Sequence, residues 1–249
     1  MNPAEKKRQL IDSLPTSYPA ELRGFLKENF KSQIEGPSNP YSLSPSNLEQ
    51  IRVSYPGSFL ALNIDFQDSF FVREAYGVYP YSVNHRSSYL SQGWKSLCLH
   101  GLSAEKTQSY QTYGYQTQDE APYQWTEMSQ LAPQTTQFLQ EKIPMKKWYR
   151  VRWMFLEPGG YILPHKDYDP SRDQHSPRMN AINIAITHPE GCLFVVENEG
   201  EIPFKPGKAF YFKGAQSHAL INHSKELRIH MIIHGVPDEP AFIHLLETK

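Results

Sequence analysis

Apolar residues recur at helical spacing near the start of the chain. In PAELRGFLKENFKSQIEG, Leu22, Phe25, Leu26 and Phe30 fall on one face, and the charged stretch NPAEKKRQLIDSLP before it keeps a similar rhythm. Two short helices are expected there. Residues 37–45, PSNPYSLSP, are turn-rich and read as a connector, followed by a further helical turn in SNLEQIRVS. From Gly57 to Leu102 the rhythm changes to alternating, aromatic segments, SFLALNIDF, FFVREAYGVYPYSV and WKSLCLHGL, which predict strands separated by turns. Residues 103–123 are polar and tyrosine-rich with no period, so a long loop is expected, and such a loop is a candidate lid. Helical spacing returns in WTEMSQLAPQTTQFLQEKIP through Met128, Leu131, Phe138 and Leu139, interrupted at Pro133.

After Trp148 the turns come regularly: EPGG (157–160), a loop over 168–177, HPEG (188–191), ENEGE (197–201), KPGK (205–208), KGAQ (213–216) and NHSK (222–225). Strand-length apolar segments lie between them. Many short strands with evenly spaced turns predict a sandwich or barrel, and a jelly roll of the cupin type is the version that carries metals. The expected fold is mainly β with flanking helices, a double-stranded β-helix (jelly roll, cupin-like). A helical N-terminal extension is expected over residues 1–56 and the β-helix domain over 57–249, with core motifs in 148–236. Twenty prolines and fifteen tyrosines support this, because proline breaks helices and aromatics favour pleated surfaces.

Charge narrows the partners. A formal net charge of -1 provides no basic field for a nucleic acid. The two cysteines, Cys98 and Cys192, form no CxxC pair, and no charged and apolar leader opens the chain. Apolar runs fall well short of the roughly 18 residues a membrane-spanning helix needs. A soluble, cytoplasmic protein with reduced thiols and no membrane partner is expected.

Three side chains have the chemistry of metal ligands. In an extended strand His165 and Asp167 project from one face and Lys166 from the other. His218 arrives at the start of SHALI, after the KGAQ turn. Two imidazoles and one carboxylate on one face of a metal leave the other positions open, the arrangement of non-haem iron(II) oxygenases. The pair H-x-D alone is a weak signal in a chain with ten histidines. Its order strengthens it: the pair, 53 residues of strands and turns, His218, and Arg228 ten residues later. The NHSK turn between the last two predicts neighbouring antiparallel strands. Arg228 there would make a paired, charge-assisted contact with a carboxylate.

Other polar groups surround these four. Asn183 lies on the face opposite Ile182, Ile184 and Ile186, and a buried asparagine needs partners, either structural or on a ligand. His230 and His234 share strand parity with Arg228; His230 could point towards the site, but a place in the core or behind the ligands is expected rather than ligation. His175, His188 and His223 sit in turns and are expected in solvent. Trp94, Tyr110, Tyr113 and Tyr115 are candidates for a pocket wall or for ordinary packing.

The segments PGGYILPHKD (158–167), Arg178 heading RMNAINIAI, EGC (190–192), PGKAFYF (206–212) and HALINHSKELR (218–228) carry a resemblance. The pattern resembles the iron(II)/2-oxoglutarate-dependent dioxygenases, and more narrowly the aspartyl/asparaginyl beta-hydroxylase family with its bacterial free-amino-acid hydroxylase relatives. The resemblance implies that His165, Asp167 and His218 bind iron(II) as the catalytic centre. It implies that Arg228 binds the C5 carboxylate of 2-oxoglutarate and that Arg178 lies near a cosubstrate or substrate carboxylate. Some members have glycine where Asp167 stands. Others place a serine for 2-oxoglutarate eleven residues before the first histidine, where this chain has Met154; Arg152, on the same strand face, is a candidate replacement. The implied reaction is hydroxylation of an amino acid, free or in a peptide, or of a similar small substrate. It would consume dioxygen and decarboxylate 2-oxoglutarate to succinate. Two rivals stand beside it: a non-catalytic cupin-like metal- or ligand-binding module, which has no need of Arg228, and an isomerase or hydrolase cupin, which usually recruits further His or Glu ligands.

Overall fold

One long strand, β5 (Met145–His165), runs through both layers of a curled sheet in the computed structural model, which describes residues 1–30, 57–64, 68–85, 90–167 and 180–246. The first half of β5 pairs antiparallel with β11 (Arg228–Pro237) on one side and β3 (Ser91–Gly101) on the other. Beyond β11 lie β6 (Asn180–Thr187), β9 (Ala209–Lys213) and β1 (Phe59–Leu62), and β3 carries the short β2 (Val83–Asn84) and β4 (Gln124–Trp125). The second half of β5 pairs with β10 (His218–Asn222), followed by β7 (Cys192–Val196) and β8 (Gly200–Glu201). Two layers joined through one strand make the double-stranded β-helix that the turn spacing predicts.

Alternation decides what each face holds. Outward from the first layer point Val151, Trp153 and Phe155 of β5, the three isoleucines of β6, and Ile229, Met231 and Ile233 of β11. Helices α3 (Asp68–Val78), α4 (Met128–Leu131), α5 (Pro133–Lys142) and α6 (Glu239–Ile243) seal that face through Phe71, Ala75, Met128, Leu139 and Phe242. The outer face of the second layer is covered by α1 (Pro3–Asp12) and α2 (Ala20–Asn29), whose Ile11, Leu22 and Leu26 pack on Leu193, Val195, Ala219 and Ile221. A capping box between Asn2 and Glu5 starts α1, and Lys7 pairs with the buried Glu201 at 2.7 Å. Between the layers, Phe194, Phe204, Phe210 and Phe212 form an aromatic core beside an unusually polar wall.

Several expectations are revised. The segment DSFFVREAYGV is helix α3, not a strand: Phe71, Ala75 and Val78, at positions i, i+4 and i+7, are all buried. EPGG does not separate two strands but is a bend inside β5, with Gly159 at φ +74 and Gly160 so close to Gln92 O that a Cβ would lie at 2.9 Å. NHSK does not join paired strands, because β10 and β11 lie in different layers, each paired with a different half of β5. SFLALNIDF and WKSLCLHGL supply β1 and β3, and residues 103–123 are irregular apart from a 3-10 turn at Tyr110–Tyr113. The 37–45 connector, the helical turn after it, the 168–177 loop with His175, and Arg178 lie outside the described residues. No helix among the described residues is long and apolar enough to cross a membrane.

Candidate metal centre

The bend in β5 carries its last residues into the second layer, where His165 and His218 become register partners across an antiparallel pair. Their ring centroids are 4.4 Å apart. Each imidazole is steered by a carbonyl two residues before it: His165 Nδ1 lies 2.8 Å from Leu163 O, and His218 Nδ1 lies 3.0 Å from Gln216 O. A proton on each Nδ1 satisfies that carbonyl and leaves the Nε2 lone pair for a ligand, the usual support of a metal-bound histidine.

Asp167 lies just past the strand, and its backbone N–H donates to Gly214 O at 2.9 Å. That contact joins the H-x-D tail to the turn preceding β10. It requires glycine, since a Cβ on Gly214 would lie 2.5 Å from the Asp167 Cβ. The carboxylate then bridges the imidazoles, with Oδ1 3.6 Å from His165 Nε2 and Oδ2 3.6 Å from His218 Nε2. Asp167 is 49% exposed, whereas the two histidines are nearly enclosed.

Among the described residues, His165, Asp167 and His218 form a group able to hold a metal, with ligand atoms within 4.8 Å of one another. Donors about 2.1 Å from one ion sit roughly 3 Å apart in adjacent octahedral positions, so small side-chain adjustments bring these three onto a common centre. The donor set, two neutral nitrogens and one carboxylate on one side, suits iron(II) with open positions. Burial pushes the His218 pKa down to about 4, opposed by Asp167, so the imidazole is in its neutral, ligating form at pH 7. Desolvation opposes ionisation of Asp167, but His165 and His218 outweigh it and hold the carboxyl well below the usual range.

The three groups line a cavity whose opposite wall comes from β5, β6 and β11. Arg152 is on that wall, 7% exposed; its Nη1 donates to Thr107 O at 2.9 Å, and its Nη2 lies 2.9 Å from His234 Nε2. Arg150, 6% exposed, also lines the cavity and donates to Gln108 O at 2.8 Å. Trp94, Tyr110 and Asn183 complete parts of the wall, and the Asn183 side chain makes a 3.4 Å contact to Ala181 O on its own strand.

Arg228 is 0% exposed and lies behind His230 rather than on the cavity surface. Its Nε donates to His188 Nδ1 at 3.2 Å, its Nη1 to His230 Nδ1 at 3.0 Å, and it stacks 4.5 Å over the Phe204 ring. Among the described residues, Nη2 has no hydrogen-bond partner. Burial brings the Arg228 pKa down to about 10, which keeps it charged at neutral pH. A buried cation with an idle donor is what a distal carboxylate would complete. His188, expected in solvent as a turn residue, instead holds Arg228; burial and then Arg228 push its pKa well below the ordinary value. Sequence reasoning overlooked Arg150 and Gly214. The parity of Arg150 with Arg152 and Met154 was a usable signal for the first; the second is explained only by the approach of two distant segments.

The aspartyl/asparaginyl beta-hydroxylase family model matches residues 73–236. No curated protein matches the chain. Among solved structures, a viral collagen prolyl hydroxylase from Paramecium Bursaria Chlorella virus-1 is 14% identical over 72% of this chain and 96% of its own, with a TM-score of 0.40. A Pseudomonas putida prolyl-4-hydroxylase is 11% identical over 76% of this chain and 96% of its own, with a TM-score of 0.43.

Proposed function

The chain belongs to the aspartyl/asparaginyl beta-hydroxylase family of iron(II)/2-oxoglutarate-dependent oxygenases, and from that premise we propose that it hydroxylates an amino acid, free or within a peptide, or a similar small substrate, at His165, Asp167 and His218. One observation carries the reading: two Nε2 atoms and a carboxylate converge within 4.8 Å on the wall of a cavity. Iron(II) and 2-oxoglutarate, when bound, supply the chemistry, in which dioxygen is reduced, the cosubstrate becomes succinate and carbon dioxide, and an oxygen atom enters a C–H bond.

Holding and orienting fall to the protein. Arg228 receives the distal carboxylate of 2-oxoglutarate through Nη2 when the His230 ring, which lines the cavity in front of it, turns aside, and burial strengthens the contact. His230 assists it. Because His230 Nδ1 accepts from Arg228, its proton sits on Nε2, a donor available to the cavity it lines. Met154 is the register partner of His230, so a donor stands across from the position where relatives use serine. Arg152 belongs to the same polar wall, two positions before Met154 on β5 and four before Leu156, the register partner of Arg228, and Arg178 keeps its proposed place near a carboxylate. The division at residue 56 belongs to this reading: helices before it brace the second layer, and the oxygenase site draws on residues after it.

A non-catalytic binding module has no use for a buried arginine with an idle donor, and the family is one of enzymes. Succinate release from 2-oxoglutarate, measured with iron and ascorbate across amino acids, peptides and acyl lipids, tests the proposal. At least one amino acid or peptide raises the rate above the substrate-free level, and Asp167→Ala abolishes it. No succinate under any condition, with or without a substrate, rejects the assignment.

A further inference from the structure

We propose that Arg150, flanked by Arg152, binds an oxyanion carried by the substrate. This rests on the assignment of the metal and cosubstrate sites above and names the chemical class that the same cavity selects.

Both guanidiniums reach the interior from alternate positions of β5, the face that in an ordinary β-barrel core would be apolar. Among the described residues, Arg150 donates to Gln108 O, and its Nε has no hydrogen-bond partner. Among the described residues, no carboxylate forms an ion pair with Arg150, and the carboxylate that lines the cavity is Asp167, which is committed to the metal. Other acids nearby do not supply the missing charge. Burial pushes the Cys98 thiol up to about 11 and raises the Tyr123 phenol, so both stay protonated beside the two arginines. Burial also lowers the Arg150 pKa, the signature of a cation removed from water without a matching anion.

The cosubstrate does not fill this need. Along β5 the register places Arg228 opposite Leu156 and His234 opposite Arg150. Six residues at about 3.3 Å each separate those rungs by roughly 20 Å along the backbone. The guanidiniums are also anchored at opposite ends, one by His188 and His230, the other by Gln108 O. Two buried cationic ends therefore serve two different anions: the distal carboxylate of 2-oxoglutarate at Arg228, and a substrate carboxylate or phosphate at Arg150. Residues 108–111 line the cavity beside Arg150, so the contact to Gln108 O keeps the tyrosine-rich loop against the group being bound.

The test is calorimetric titration of the full chain loaded with Mn(II) and 2-oxoglutarate, which does not depend on turnover. The probes are the free amino acids, their carboxamides, and phosphoethanolamine. At least one amino acid is expected to bind about tenfold or more tightly than its carboxamide, or phosphoethanolamine to bind in its place, which identifies the oxyanion as carboxylate or phosphate. Arg150→Gln removes that preference while Mn(II) and 2-oxoglutarate affinities stay within about twofold, and Arg150→Lys restores part of it. Equal binding of acids and amides by the wild type, no binding of any probe, or parallel loss of 2-oxoglutarate affinity in Arg150→Gln overturns the proposal. Failure of the wild type to bind Mn(II) and 2-oxoglutarate instead overturns the oxygenase site; acid binding that still depends on Arg150 in the unloaded protein then keeps the oxyanion site standing.

Discussion

Gly214 has no side chain because Asp167 occupies the space one would need. A methyl group there must displace either the carboxylate or the turn that leads into His218, and both displacements open the metal site. Gly214→Ala is expected to weaken Mn(II) binding by about 10- to 100-fold, the range seen when support for a ligand is lost, with the melting temperature changed little. Isothermal titration and a thermal melt check the two halves of that statement. Wild-type affinity in the variant would mean that Asp167 does not need the approach. At this scale the convergence of His165, Asp167 and His218 was legible in the sequence, since H-x-D and a second histidine are chemically distinctive and ordered. Gly214 was not, because its meaning depends on a segment 47 positions away being pressed against it. His188 misled for a related reason: its turn position suggested solvent, but its ring completes the cage around Arg228.

Among elements, the turns were legible and their partners were not. Glycine- and proline-rich punctuation marked nearly every boundary after Trp148, and strands do lie between those marks. Which strands pair is a long-range property, and local turn chemistry misassigned it at NHSK, where the chain crosses from one layer to the other. At EPGG the glycines serve the bend that carries one strand into both sheets, with Gly160 pressed against the backbone of β3. The segment that forms α3 was misread because phenylalanine, valine and tyrosine suit strands. Its buried positions follow a helical period, and packing against the sheet overrides that propensity.

Across the whole molecule the isoleucines of β6 face the helices, while arginines and histidines share the space between the layers with an aromatic core. This has a cost that depends on pH. Burial, reinforced by neighbouring arginines, holds His230 and His234 neutral, with pKa values well below the ordinary 6.5. As pH falls through 6.5, the unfolded chain takes up these protons and the folded one does not. Stability is therefore fully present above about pH 6.5 and falls below it by about 1.4 kcal/mol per pH unit for each imidazole. The urea midpoint of metal-free protein is expected to drop between pH 7.5 and 5.5, with a smaller drop in His234→Gln. An unchanged midpoint would show that these rings are not held neutral. The near-neutral net charge of the chain concealed this cationic interior, because the acidic residues that balance it lie elsewhere.

The central claim is that His165, Asp167 and His218 hold one ferrous ion beside 2-oxoglutarate. The most direct test is anaerobic titration of iron(II) into protein with 2-oxoglutarate, monitored by the visible charge-transfer band that chelation of the ion by the keto acid produces. The account predicts a band saturating at one equivalent of iron, absent in both Asp167→Ala and His218→Ala, and requiring higher 2-oxoglutarate concentrations in Arg228→Gln. A wild-type protein without the band, or a band undiminished in Asp167→Ala and His218→Ala, would contradict it.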